Sequence, residues 1–197
     1  MTKYVFFILV VSLGLGCSQP GDSNLDALMN AERNVEAGMS VLETWNVDSV
    51  VAVRERVATR FRDLDWLVAD STLTYTVKDG QLIGDWARVK RFLKDGPTRL
   101  VTLDEQGTLC LTQLNGLMQA IRRGAMEDAN GTPMNEAYFS KEAQRELTAA
   151  KTWGMAVAET ERLLSLGIEL EAQTRASIDS LIQTKRAEWA QNIASEN

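Results

Sequence analysis

The sequence predicts an all-α fold, an antiparallel helical bundle that is either compact or elongated. Three observations carry the prediction. After residue 24, apolar residues recur at three- and four-residue spacing along most of the chain. A single stretch, 71–78 (STLTYTVK), alternates as a strand does, and it has no second strand to pair with. The three prolines, at 20, 97 and 133, fit in connecting segments.

Leu25, Leu28, Val35, Met39 and Leu42 define a first helix over about 24–44, with Ser23 or Asn24 available as cap. Val47, Val50, Val57, Phe61, Leu64 and Val68 define a second over 48–70, with Asp48 as candidate cap. Arg54 interrupts that stripe, and Val53 and Leu67 widen it to the breadth of a bundle helix. The stretch 71–78 is expected as a helix continuation or an extended connector, and Lys78-Asp79-Gly80 reads as a break. Ile83, Trp86, Val89 and Leu93 form a short third face, ended by Asp95-Gly96-Pro97.

Leu100, Leu103, Gly107, Cys110, Leu114, Leu117 and Ile121 form the next stripe, over 98–123. Gly107 is its odd member and permits close approach of a neighbour. A polar loop follows at 124–132, with Thr132 as cap and Pro133 as first helical residue. Leu147, Ala150, Gly154, Val157, Leu164 and Ile168 then share one face of a helix over 133–170, interrupted by Glu161. The small residues among them allow tight packing. A last helix over 174–192 carries Ile178, Leu181, Ile182 and Trp189, after a bend between 166 and 175. No fixed-period repeat occurs, so a solenoid is not supported.

The amino terminus has a different character. Lys3 and the free amino group precede an apolar stretch at 5–15, and small residues then flank Cys17. This is the layout of a secretory signal. Eleven residues span only ~16 Å as a helix, about half of a ~30 Å hydrocarbon core, so a membrane-spanning helix is disfavoured. Gly14-Leu15-Gly16-Cys17 resembles the lipobox of bacterial lipoprotein precursors, although Gly14 stands where that family usually has Leu. The resemblance covers residues 1–20 only. It implies cleavage before Cys17 and a diacylglyceryl group on its thiol. Ser18, where an Asp would favour the inner membrane, implies an outer-membrane anchor facing the periplasm. The plainer alternative is a secretory signal with an incidental cysteine.

The expected organisation is therefore a signal peptide at 1–16, a lipidated cysteine with a flexible tether at 17–24, and one all-α domain at 25–192. Without the signal, 20 basic residues stand against 27 acidic ones, a net charge of −7, which argues against general binding to nucleic acid or to anionic lipid. With Cys17 modified, Cys110 is alone and forms no internal disulfide, and its place on an apolar stripe favours packing over reactivity. The chain has no histidine, which excludes Ser-His and Cys-His nucleophiles and the usual zinc sites. No catalytic, cofactor-binding or metal-binding motif is recognised.

Four constellations remain. Arg88, Lys90, Arg91, Lys94 and Arg99 surround Trp86 and Phe92, either as a patch for an anionic envelope component or as a solvated helix face. Arg54, Arg56, Arg60 and Arg62 read as a second solvated face. Glu142, Glu146, Glu159, Glu161, Glu169 and Glu171 read as helix-surface carboxylates rather than an acid pair or metal site. Tryptophans 45, 66, 86, 153 and 189 are expected as core fillers at helix ends; a ligand-stacking cleft is the alternative. The functional expectation is a lipid-anchored envelope protein acting as a non-catalytic adaptor, scaffold or accessory subunit beside another envelope protein. A glycan- or small-molecule-binding module using a tryptophan-lined cleft is the second reading, and a histidine-free hydrolase the third.

Overall fold

The computed structural model describes residues 20–196; the expected signal segment at 1–16 and Cys17 lie outside the described residues. All regular structure within them is helical. A single 3-10 turn, Asp22–Asn24, leads into α1 (Leu25–Glu43), followed by α2 (Val47–Val68), α3 (Val77–Leu93), α4 (Gly96–Arg122) and α5 (Glu136–Glu196). At ~1.5 Å per residue, the 61 residues of α5 extend ~90 Å.

α5 is the spine of a helical bundle. Along its first half it packs against α1 and α4: Trp153 fits beside Gly38 and Gly107, and its Nε1 donates to the Leu103 carbonyl at 2.8 Å. Along its second half it packs against α2 and α3, through Arg56–Glu171, Arg60–Asp179 and Trp66–Trp189 on one side and Leu93 against Gly167 on the other. The interruptions between α1 and α2 and between α3 and α4 meet near one level of α5. A Cβ on Gly96 would stand 2.6 Å from Leu164 and 3.5 Å from Val50. One unbroken helix thus splints two interrupted ones.

The core draws most of its residues from the expected stripes. Leu28, Val35 and Leu42 from α1, Val50, Val57 and Leu64 from α2, and Trp86, Val89 and Leu93 from α3 are buried with Leu100, Leu103, Leu114 and Ile121 from α4. The expected close approach at Gly107 is present: a Cβ there would collide with Met39 Sδ and stand 2.7 Å from Trp153. In α2 the last core position belongs to Leu67, whereas Val68 is 52% exposed.

Several local expectations are corrected. The helices expected at 133–170 and 174–192 are one, without a break at 166–175. Gly167 is a poor helix former, but Leu93 fills the space its missing Cβ leaves. Thr174 Oγ1 donates to the Leu170 carbonyl at 2.6 Å, so its hydroxyl is satisfied inside the helix. Of the two forms expected for 71–78, residues 71–76 take that of a connector, a turn followed by a segment without regular structure that ends at Thr76. There a capping box with Asp79 starts α3 at Val77, so the apparent break at 78–80 is its first turn. Asn46, not Asp48, caps α2, accepting from Ser49 N at 2.8 Å. Neither Ser23 nor Asn24 caps α1 through its side chain. Thr132 and Pro133 stay in the loop, where Pro133 bridges to Glu127, and Asn135 accepts from Tyr138 N at 3.0 Å to open α5.

Candidate interaction surfaces

The chain enters the bundle at Gly21. Its φ of +89° is a conformation that suits glycine, and a Cβ there would lie 2.9 Å from both Ile121 and Phe139. The Gly21 N–H donates to Glu136 Oε2, and Ser23 Oγ donates to Glu136 Oε1 at 3.0 Å. Glu136 is the first residue of α5, and Ile121 lies in the last turn of α4. Residues 21–24, expected as part of a flexible tether, are therefore docked at the end of the bundle where α4 passes into α5. Glu136 had no prominence in the sequence; its role depends on the fold bringing it to Gly21.

The connection between α4 and α5 closes the same end. Met134 N donates to the Met126 carbonyl at 2.8 Å. The Asp128 carboxylate accepts from Asn130 N and Thr132 N, each at 2.8 Å. Backbone N–H donation from Thr132 and then Asn130 holds this carboxyl below the usual range, so the loop is organised around an ionised group. Met126 at its outer edge is 83% exposed, and Arg122 and Arg123 beside it are exposed.

The opposite end of α5 carries an aromatic pair. The Trp66 and Trp189 rings meet edge to face, with centroids 4.9 Å apart. Trp66 is 50% exposed, and Ile193, one turn beyond Trp189, is also exposed. The connector to α3 folds over this end. Lys185 Nζ donates to the Thr74 carbonyl and to Glu188 Oε2, and it lies 5.0 Å above the Tyr75 ring. The Glu188 carboxyl is held below its ordinary value chiefly by the Lys185 hydrogen bond. Asn192 Nδ2 reaches Thr72 Oγ1 at 3.3 Å. Val77, at the start of α3, is 80% exposed.

Between these ends a furrow follows the α4–α5 seam. Successive depressions share residues: Asp95, Arg99 and Thr160 link the first two, Gln106 and Ala156 the second and third, and Gln113 and Arg145 the third and fourth. The two central hollows measure about 590 and 480 Å³. Leu103 and Ala156 line one, and Trp153, Leu109 and Cys110 line the other. Cys110 is half-buried, and burial, followed by the nearby Glu146 charge, pushes its thiol pKa up.

The other sequence candidates are dispersed. Arg88 pairs with Asp85 on its own helix, and Lys90 stands 4.6 Å over the Phe61 ring. Trp86, at the centre of that expected patch, is wholly buried, with its Nε1 hydrogen unpartnered. The 54–62 arginines are not simply solvated. Arg56 bonds Glu171 at 3.0 Å and Arg60 bonds Asp179 at 2.9 Å, and with Arg186–Asp63 at 2.7 Å they fasten α2 to α5. Glu171, read as a surface carboxylate, is 1% exposed and also accepts from Arg175 Nη2 at 2.6 Å. Burial raises its pKa, but the Arg175 and Arg56 hydrogen bonds outweigh this and the net shift is downward. Glu146 is buried as well, paired to Arg145 at 2.9 Å.

The five tryptophans do not surround a common cleft. Trp86 and Trp153 are buried, Trp66 and Trp189 pair at one end, and Trp45 lines a separate hollow between α1 and α4. Among the described residues no group of three or more His, Cys, Asp or Glu is placed to hold a metal ion. No described helix is long and apolar enough to cross a membrane. Comparison with protein families, curated proteins and solved structures finds no match.

Proposed function

We propose that the protein is a lipid-anchored component of the bacterial cell envelope, tethered through Cys17 to the outer membrane on its periplasmic side. In this reading its elongated antiparallel bundle acts by contact, as an adaptor, scaffold or accessory subunit, and not by catalysis. The order of contacts supports the antiparallel arrangement. Gly21 and Gly38 of the chain's first section meet Phe139 and Trp153 in rising order, while Gly96 and Leu103 meet Leu164 and Trp153 in falling order.

One observation carries the adaptor reading: the tether and the exposed aromatic pair sit at opposite ends of one helix. From Glu136 to Trp189 the rise along α5 is ~80 Å. A chain tied down at Gly21 holds Trp66, Trp189 and Ile193 far from its attachment point. Half-exposed aromatic side chains are the residue type most enriched where protein partners meet. The tryptophan-cleft reading has no comparable support, because the five rings are dispersed.

A photoreactive amino acid at position 66, activated in intact cells, tests the proposal. The expected product is a discrete adduct with another envelope protein, absent when the same residue replaces Thr148 on the furrow rim. Adducts from neither position would contradict the adaptor reading.

A further inference from the structure

The docking of residues 21–24 has a geometric consequence for the membrane. Resting on the lipid anchor proposed above, we infer that the α4–α5 connecting loop is a membrane-resting surface, with Met126 set into the headgroup region of the bilayer that holds Cys17.

The argument is one of reach. Cys17 and Gly21 are four residue steps apart, with three residues between them. Even fully extended those steps span at most ~14 Å. Gly21 is held to Glu136 at the start of α5 and is packed against Ile121 and Phe139. The Met126 carbonyl is hydrogen-bonded to Met134, which is two residues from Glu136. Two extended residues cover ~7 Å, so Met126 also lies close to the point where the tether leaves. A thioether-linked diacylglyceryl group at Cys17 therefore draws this end of the bundle, and no other, onto the lipid surface.

The loop's chemistry suits that position. Of its two methionines, Met134 packs against the core and Met126 is 83% exposed. The carboxylate of Asp128 is turned into backbone donors rather than left facing headgroups unpartnered. Arg122 and Arg123, both exposed, stand at the foot of α4 where phosphate groups would lie. Glu127, Asp128 and Glu136 outnumber the two arginines, so the loop is not a polybasic anchor in its own right. The anchor supplies the affinity and the loop sets the orientation, which stands α5 off the bilayer.

The test uses the full chain, processed in cells and reconstituted in vesicles of phosphatidylethanolamine and phosphatidylglycerol. A nitroxide is placed at Met126→Cys or Val77→Cys in a Cys110→Ser background, and its accessibility to membrane-dissolved oxygen and to aqueous nickel chelate is measured. Both sites are exposed, so neither substitution threatens folding. The mass of the amino-terminal peptide is taken on the same sample. The expected result is an acylated Cys17 with an oxygen-to-nickel ratio several-fold higher at 126 than at 77. Acylated protein with equal, water-like ratios overturns the resting surface and leaves the anchor standing. An unacylated Cys17 overturns the anchor and this inference together.

Discussion

Replacing Gly107 by alanine tests the packing at the centre of the bundle, and a second glycine supplies the internal control. In a helix interior, Gly→Ala stabilises by ~1 kcal/mol through propensity alone. At Gly84, on the exposed face of α3, no heavy atom lies within 4 Å of the new methyl, so that gain should appear in full. At Gly107 the methyl would collide with Met39 Sδ and stand 2.7 Å from Trp153 Cζ2. Met39 is flexible and can move aside. The Trp153 ring cannot: its Nε1 is bonded to Leu103, and a Cβ on Gly38 would stand only 2.6 Å from its far edge. Overpacking of a rigid site costs ~1–3 kcal/mol, and with the ring clamped on both sides the upper half of that range applies. After the propensity gain, Gly107→Ala should destabilise by ~1–2 kcal/mol. With an m-value of ~2 kcal/mol per molar urea, the midpoint should fall by ~0.5–1 M, while that of Gly84→Ala rises by ~0.5 M. Urea unfolding followed by far-ultraviolet circular dichroism reads both. Equal shifts of the same sign would refute the convergence of α1, α4 and α5 on Trp153.

Other outcomes follow from the ion pairs and the thiol. Because Glu171 has a folded pKa below its ordinary value of 4.5, its ion pairs stabilise fully above that value and fade as the pH falls through the folded pKa. Glu171→Gln should cost ~1–2 kcal/mol at neutral pH, at the low end because Arg56 and Arg175 can rehydrate, and unfolding titrations should show a shallower loss below pH 4.5. Glu136→Ala should change global stability by less than ~1 kcal/mol yet abolish amide-exchange protection at Gly21, since it removes the acceptor for that N–H. Cys110 should react with a disulfide reagent more slowly than a free thiol at pH 8, with a rate that rises only at higher pH, because burial suppresses its thiolate.

What was legible in the sequence was whatever depended on a single helix. The stripes of α1, α2 and α4 gave those helices to within a residue or two, because Leu28, Val57 and Leu114 recur with the period of one buried face. The close approach at Gly107 was legible for the same reason: a glycine in a leucine stripe leaves room for something. Properties set by another helix were not legible. Glu171 reads as a helix-surface carboxylate in the sequence, and its burial is set by α2 packing on α5, where Arg56 joins Arg175 in pairing it. Leu93 of α3 packs where a side chain at Gly167 would lie, a neighbour that the sequence of α5 does not reveal. The start of α3 was legible but misread, since Thr76 and Asp79 form a capping pair inside a β-branched run. The docking of Gly21 on Glu136 had no sequence signal, because neither residue belongs to a motif. Of the candidate surfaces, the composition showed the aromatic residues, and the fold alone showed which of them pair at an end and which are buried.

The location and contact role all rest on one covalent event at residue 17. Intact mass measurement of the amino-terminal peptide from envelope-purified protein tests it most directly. The account predicts a chain beginning at Cys17, carrying a diacylglyceryl thioether and leaving Cys110 as the sole free thiol. A peptide beginning at Met1, or one with an unmodified Cys17 thiol, would contradict it.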